Sequence, residues 1–180
     1  MTSIDTAKSW GYLFGEEVEA MKSMLLSIPP ESICVNIGAG VGTSGLIFME
    51  CPNVKSLYTV DITCGDSPLG GLGNERITFG QSGYGNDPRW HQICGDSTEV
   101  GEIWNNGPVD VCFIDGDHSY EHCSSDIMAW LPHIKKGGII CLHDYESHFW
   151  PTVTKSVDDL LRHKHKIISH TRTFIAFEVA

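Results

Sequence analysis

SICVNIGAGVGTSG, residues 32–45, is the segment from which the rest of the chain is read. Ile33, Cys34, Val35 and Ile37 form a short apolar run with the character of a buried strand, and the run passes directly into Gly38, Gly40 and Gly42. Inside a strand or helix each such glycine would cost about 0.5 to 1 kcal/mol relative to alanine. Glycines at this spacing belong where a backbone turns sharply and a ligand lies against it. With a short helix expected over residues 43–50, the order strand, glycine turn, helix presents free N–H groups at a helix start to a nucleotide-like ligand.

Composition bounds the remainder. The 180 residues suffice for one domain with a sizeable core and not for two of ordinary size, so residues 1–180 are read as a single domain. Hydrophobic residues at 41% and charged residues at 19% fit a soluble globular protein, and no run approaches the roughly 18 to 20 apolar residues that span a bilayer. MTSIDTAKSWGY at the start lacks the basic and apolar regions of a signal peptide, so a cytoplasmic protein with no membrane contact is expected. The formal charge of −11 works against nucleic acid, whose binding rests on cationic neutralisation of phosphates, and favours a small-molecule substrate. Seven cysteines, odd in number and without a C-x-x-C pair, suggest neither a disulfide framework nor a zinc clasp. Cys34, Cys94, Cys112 and Cys141 fall in expected strands and are read as small buried hydrophobes in a reducing compartment.

Apolar positions Val18, Met21, Leu25 and Ile28 mark an amphipathic helix over 15–27, closed by Pro29 and Pro30. Before it, Trp10, Tyr12 and Phe14 either cover the ligand or fill a groove. Strands are expected over 54–60, 90–94, 109–114 and 139–143, with helices over 97–104, from Tyr120 to the Lys135-Lys136-Gly137-Gly138 run, and over 153–163. Pro132 kinks or shortens the second of these. Residues 62–89, dense in glycine and without lasting periodicity, read as a flexible loop, either a flap over the substrate pocket or disordered. The tail KIISH and TFIAFEV reads as two strands joined at Thr171 and Arg172. Alternating strands and helices imply an α/β fold, a mostly parallel sheet with helices on both faces.

In such a sheet, ligands bind beyond the carboxyl ends of the strands, and Asp61, Asp96, Asp115 and Asp144 all stand at such ends. Asp61, 23 residues after Gly38, is placed to accept hydrogen bonds from two ribose hydroxyls. Asp96 is also suited to cap the helix that follows it. Asp115 and Asp144 close consecutive strands about 4.8 Å apart, so their carboxylates can meet one divalent cation.

A dinucleotide turn would want a third glycine where this chain has Thr43. The Gly38-x-Gly40-x-Gly42 form resembles instead the first motif of class I S-adenosylmethionine-dependent methyltransferases. FIDGDHSYE and GGIICLHDY resemble segments of small-molecule O-methyltransferases of the catechol, sugar and macrolide types, and of the cephalosporin hydroxylase-like group. The resemblance implies a Rossmann-like, seven-stranded sheet with an antiparallel C-terminal strand pair. It also implies S-adenosylmethionine on Asn36, Gly38, Ala39, Gly40, Thr43, Asp61, Asp96, Ser97 and Asp115, with Asp96 at the adenine. Asn36 stands where that family carries an acidic residue. Metal ligands carried over are Asp115, His143 and Asp144, for magnesium or manganese. His143 replaces an acidic residue there, which favours softer ions, and strand alternation counts against its reaching the ion. Asp117 matches the family's base, and His118, with an ordinary pKa of about 6.5, competes for that role.

The resulting expectation is methyl transfer to an oxygen of a small hydroxylated acceptor, with metal assistance. Two alternatives stand beside it: a metal-independent methyltransferase acting on an amine or carboxylate, and a non-catalytic nucleotide-binding or regulatory protein. A second copy of the chain could complete the pocket, so a homodimer stays open.

Overall fold

The computed structural model describes residues 1–10 and 12–180, with the backbone alone at Trp10. The Trp10 part of the aromatic expectation therefore lies outside the described residues. In chain order the elements are α1 (Ser3–Trp10), α2 (Gly15–Leu26), β1 (Ser32–Ile37), α3 (Thr43–Met49), β2 (Val54–Asp61), α4 (Leu72–Ser82), β3 (Trp90–Cys94) and α5 (Ser97–Glu102). They continue with β4 (Val109–Ile114), α6 (Tyr120–Trp130), β5 (Ile134–Leu142), α7 (Pro151–Leu160), β6 (Lys166–Thr171) and β7 (Phe174–Glu178).

One seven-stranded sheet runs β3-β2-β1-β4-β5-β7-β6. Its first five strands are parallel, and β7 joins β5 and β6 antiparallel. Alternation along the central strands sorts their side chains between two cores. Cys34, Val111, Phe113 and Cys141 face α1 to α4. Val35, Cys112, Ile114 and Leu142 face α6 and α7. The chain order reverses direction at β1, whose neighbours are β2 and β4, and ligands of doubly wound sheets sit at that crevice. No helix among the described residues is long and apolar enough to cross a membrane.

Three expectations need correction. Residues 62–89 are not loop throughout, because α4 occupies Leu72–Ser82. Its inward face is Leu72, Gly73, Glu75, Thr78 and Phe79, which carries too few large apolar side chains to show a helical period. The helix from Tyr120 stops at Trp130, a 3₁₀ turn containing Pro132 follows, and β5 starts at Ile134. Proline lacks the N–H that would continue the helix, and the Lys135-Lys136-Gly137-Gly138 run becomes an irregularity in β5, with Gly137 at φ +77°. Cys64 and Cys94 form a disulfide, with Cα atoms 5.3 Å apart. Cys94 is exposed, whereas Cys34, Cys112 and Cys141 are fully buried. Parallel pairing of Asp61 with Cys94 brings the segment after β2 alongside the end of β3, a proximity that cysteine spacing does not reveal.

Candidate active site

The glycine turn is built by close approach. Gly38 sits at φ +87°, and a β-carbon there would stand 2.1 Å from the Asp115 carbonyl oxygen. Gly38 N donates to Val60 O and Asp115 N to Ile37 O, each at 2.9 Å, which ties the turn to the ends of β2 and β4. Asp61 bridges the turn to the next segment, its carboxylate accepting from Ala39 N at 2.8 Å and Thr63 N at 2.7 Å. Gly71 N donates to Gly40 O at 2.8 Å, so the 62–71 segment closes onto the turn.

At the end of β3, the Asp96 carboxylate accepts from Thr98 N at 2.9 Å and Glu99 N at 3.1 Å, the N-cap of α5. Ser97 Oγ donates to Asp126, a carboxylate on α6 whose pKa is raised by burial. Below the turn, Glu75 is fully buried, accepting from Thr59 Oγ1 at 2.9 Å and Gln92 Nε2 at 2.7 Å. Burial lifts its pKa to about 7, against those hydrogen bonds.

On the other side of β1, Asp115, His118 and Asp144 converge, each offering a ligand atom within 4.8 Å of the others. His118 Nε2 donates to Asp144 Oδ2 at 2.9 Å and lies 3.9 Å from Asp115 Oδ1. The Asp144 hydrogen bond raises the His118 pKa, and burial opposes it. For Asp144, burial works upward, but the His118 and His143 hydrogen bonds outweigh it and hold the carboxyl below the usual range. The His118 ring stacks on Trp150 at 4.4 Å between centroids.

Behind this cluster, His143 Nδ1 is 3.6 Å from Asp115 and 3.3 Å from Asp144, while Nε2 is 3.2 Å from Glu17 Oε2 and 3.2 Å from Thr173 Oγ1. Burial alone would lower the His143 pKa, yet Asp115, Asp144 and Glu17 together raise it, so the ring is held as a cation. Glu17, fully buried on α2, also accepts from Phe14 N at 2.8 Å, Thr173 N at 3.0 Å and Thr173 Oγ1 at 2.8 Å.

The glycine turn, Asp61, Asp96, Asp126 and the Asp115, His118, His143 and Asp144 groups line one cavity of about 1080 Å³ at the carboxyl edge of the sheet, with Glu17 and Glu75 behind its wall. That volume is at the upper end of the ~300–1,000 Å³ usual for small-molecule sites, room for a nucleoside-sized cofactor and a second molecule.

The sequence family described as a methyltransferase domain matches residues 35–145. The chain belongs to this methyltransferase-domain family. Relatives include the uncharacterized protein R132 of Acanthamoeba polyphaga mimivirus, 28% identical over 133 residues, covering 70% of this chain and 59% of that protein. Demethylmacrocin O-methyltransferase of Streptomyces fradiae is 28% identical over 72 residues, 38% of this chain and 18% of that protein. The chain thus spans less than two thirds of the length of these relatives. Among solved structures, the O-methyltransferase NovP superposes with a TM-score of 0.74 at 15% identity, covering 92% of this chain and 80% of that one, a likeness of fold.

In this methyltransferase domain, Gly38, Ala39, Gly40, Thr43, Asp61, Asp96, Ser97 and Asp115 all line the cavity. Asn36 does not. It is fully buried behind the turn, with Nδ2 donating to Gly38 O at 3.2 Å and Oδ1 without a partner among the described residues. The converging cluster adds His118 to Asp115 and Asp144, and His143, expected with those two carboxylates, faces both through Nδ1. His143 and Asp144 lie past the last residue of β5, with Asp144 at φ +59°, so strand alternation no longer governs where their side chains point. Asp117 is exposed and accepts from Ser119 N at 2.7 Å, and hydrogen bonding to the Ser119 side chain and backbone lowers its pKa. Glu17, Asp126 and Arg172 escaped the sequence reading as site residues. For Glu17 a signal existed: it stands three residues after Phe14, the helix-capping spacing, but its cap is not a serine or threonine.

Proposed function

We propose that the chain transfers a methyl group from S-adenosylmethionine to an oxygen of a small hydroxylated acceptor. The observation carrying this reading is that the glycine turn with its two carboxylates and the Asp115, His118 and Asp144 cluster open into one cavity. S-adenosylmethionine supplies an electrophilic methyl group on a sulfonium, and the acidic lining, with Asp61, Asp96 and Asp115 on the same face, suits that cation. Asp61 would accept from the ribose hydroxyls, and Asp96 with Ser97 would meet the adenine edge. Direct displacement then needs the acceptor oxygen in line with the methyl group and a group to take its proton.

Two carboxylates and one imidazole fit a divalent first-row cation, and Asp115, His118 and Asp144 would hold it. Such an ion supplies a lowered pKa at a coordinated acceptor hydroxyl. Asp117, on the cavity wall beside the cluster, would then receive the proton. A metal-independent variant of the same reaction is favoured by one observation, the 2.9 Å His118–Asp144 hydrogen bond, which makes His118 an oriented base without an ion.

Calorimetric titration of S-adenosylhomocysteine into chelator-treated protein, repeated with magnesium or manganese and an acceptor panel, tests both forms. Micromolar product binding with acceptor binding that requires metal supports the metal-assisted reading. Acceptor binding that ignores metal assigns the proton to His118, and absent product binding overturns the methyltransferase reading.

A further inference from the structure

The strand ends lie along the sheet edge in the order β3, β2, β1, β4, β5, β7, which places Asp96, Asp61, the glycine turn, Asp115 and Asp144 in a row. The row ends at Arg172 and Thr173, in the turn between β6 and β7. Cofactor groups occupy one end and the cluster the middle. Arg172 therefore stands two strands beyond Asp115, roughly 10 Å at the usual strand spacing. It is the only lysine or arginine among the described residues lining the cavity.

Its setting is built. Glu17 ties down both sides of it, binding Thr173 N next in the chain and Phe14 N on the facing helix start. The guanidinium lies over the Phe14 ring, 3.7 Å from its centroid. Arg172 holds φ +55°, a left-handed conformation where glycine or asparagine is the usual choice. An arginine in a strained turn at a cavity is a reason to look for what its side chain does. Glu146, another lining residue, lies 3.9 Å from Arg162 and 3.8 Å from His170, and Arg172 makes no ion pair among the described residues. The cavity lining also includes the flat rings of Trp150, stacked on His118, of Phe14, under Arg172, and of Phe149 and Tyr12.

We propose that Arg172, held flat on Phe14 at the far end of the cavity, anchors an acidic group on the acceptor, so that the acceptor is a planar hydroxylated ring bearing a carboxylate or a phosphate monoester. The fork of the guanidinium matches either oxyanion in a two-point hydrogen bond, and the rings stack on the acceptor plane. The hydroxyl at the opposite side of the ring then reaches the Asp115, His118 and Asp144 cluster. This inference rests on the methyltransferase reading of the cavity.

The test is equilibrium binding of four probes, each with and without saturating S-adenosylhomocysteine: 3,4-dihydroxybenzoate, its methyl ester, a dihydroxyphenyl phosphate, and glucuronate. The dihydroxybenzoate is expected to bind at least about tenfold more tightly than its ester, a charge-assisted pair against a neutral contact. That preference is expected to vanish in Arg172→Gln and to be partly kept in Arg172→Lys, which retains the charge without the fork. The phosphate arm shows which oxyanion is preferred. An ester that binds as well as the acid in the wild-type protein overturns the anchor, whatever the variants do. Glucuronate binding as tightly as the benzoate overturns the ring. Acid preference without product binding would sink the methyltransferase reading and keep the anchor, whereas product binding without acid preference would sink the anchor alone.

Discussion

A β-carbon on Gly38 has nowhere to go: the Asp115 carbonyl oxygen would be 2.1 Å away, and the backbone sits at φ +87°. Gly38→Ala is therefore expected to push the turn off the end of β4, weakening S-adenosylhomocysteine binding at least about tenfold by calorimetry and lowering stability by roughly 1–3 kcal/mol. Glu17 makes a second test at this scale. Its carboxylate faces Nε2 of buried His143 and receives two backbone N–H groups, so Glu17→Ala strips His143 of one of its three carboxylate neighbours and leaves both donors unpaired. A loss of about 3–5 kcal/mol in denaturant unfolding is expected. Glu75 works in the opposite sense. Its folded pKa of about 7 exceeds the ordinary 4.5, so the folded state binds this proton more tightly than the unfolded chain does. The stabilisation is complete below pH 4.5 and is lost as pH rises to 7. Glu75→Gln should match the wild-type protein near pH 4.5 and exceed it at pH 8 by on the order of 3 kcal/mol, read as the difference between two unfolding series.

Elements differ in how plainly they announce themselves. β1, β4 and the helix of Val18, Met21 and Leu25 carry predominantly apolar patterns and agree with the structure to within a residue or two. α4 carries no such pattern, since its packed face includes a buried glutamate and a glycine, yet it supports the glycine turn from below. Phe79 is its main anchor, fully buried with its ring 4.4 Å from that of Trp90 and close under Gly45. Phe79→Ala is expected to cost about 3–5 kcal/mol in denaturant unfolding, which a mobile flap would not show. The start of β5 was hidden for a different reason. Ile134 and Leu131 continue the helical spacing of α6, and only pairing with Val109 draws Ile134 into the sheet.

At the scale of the molecule, the sheet order brings the cofactor groups, the cluster and Arg172 onto one edge. The Cys64–Cys94 bond clips the segment after β2 to that edge across 30 residues of chain. Reduction releases loop entropy to the unfolded state, about 3–4 kcal/mol, and should lower the melting temperature by on the order of 10 °C in a chain of this size. Calorimetric scans of the wild-type protein and of Cys64→Ser, each with and without reductant, check this: the variant should melt low in both, the wild-type protein only when reduced. By itself, the sequence determined the α/β class, the parallel strands, the glycine turn and the aspartates at the strand ends, because periodicity, glycine placement and strand termini are local properties of consecutive residues. Tertiary structure alone decided that His118 joins Asp115 and Asp144, that Glu17 stands behind His143, that Cys64 meets Cys94, and that Arg172 closes the row. Each of these depends on which strand ends become neighbours and where side chains point once a strand has ended. Such distances are set by packing across the whole sheet, and spacing along the chain does not encode them.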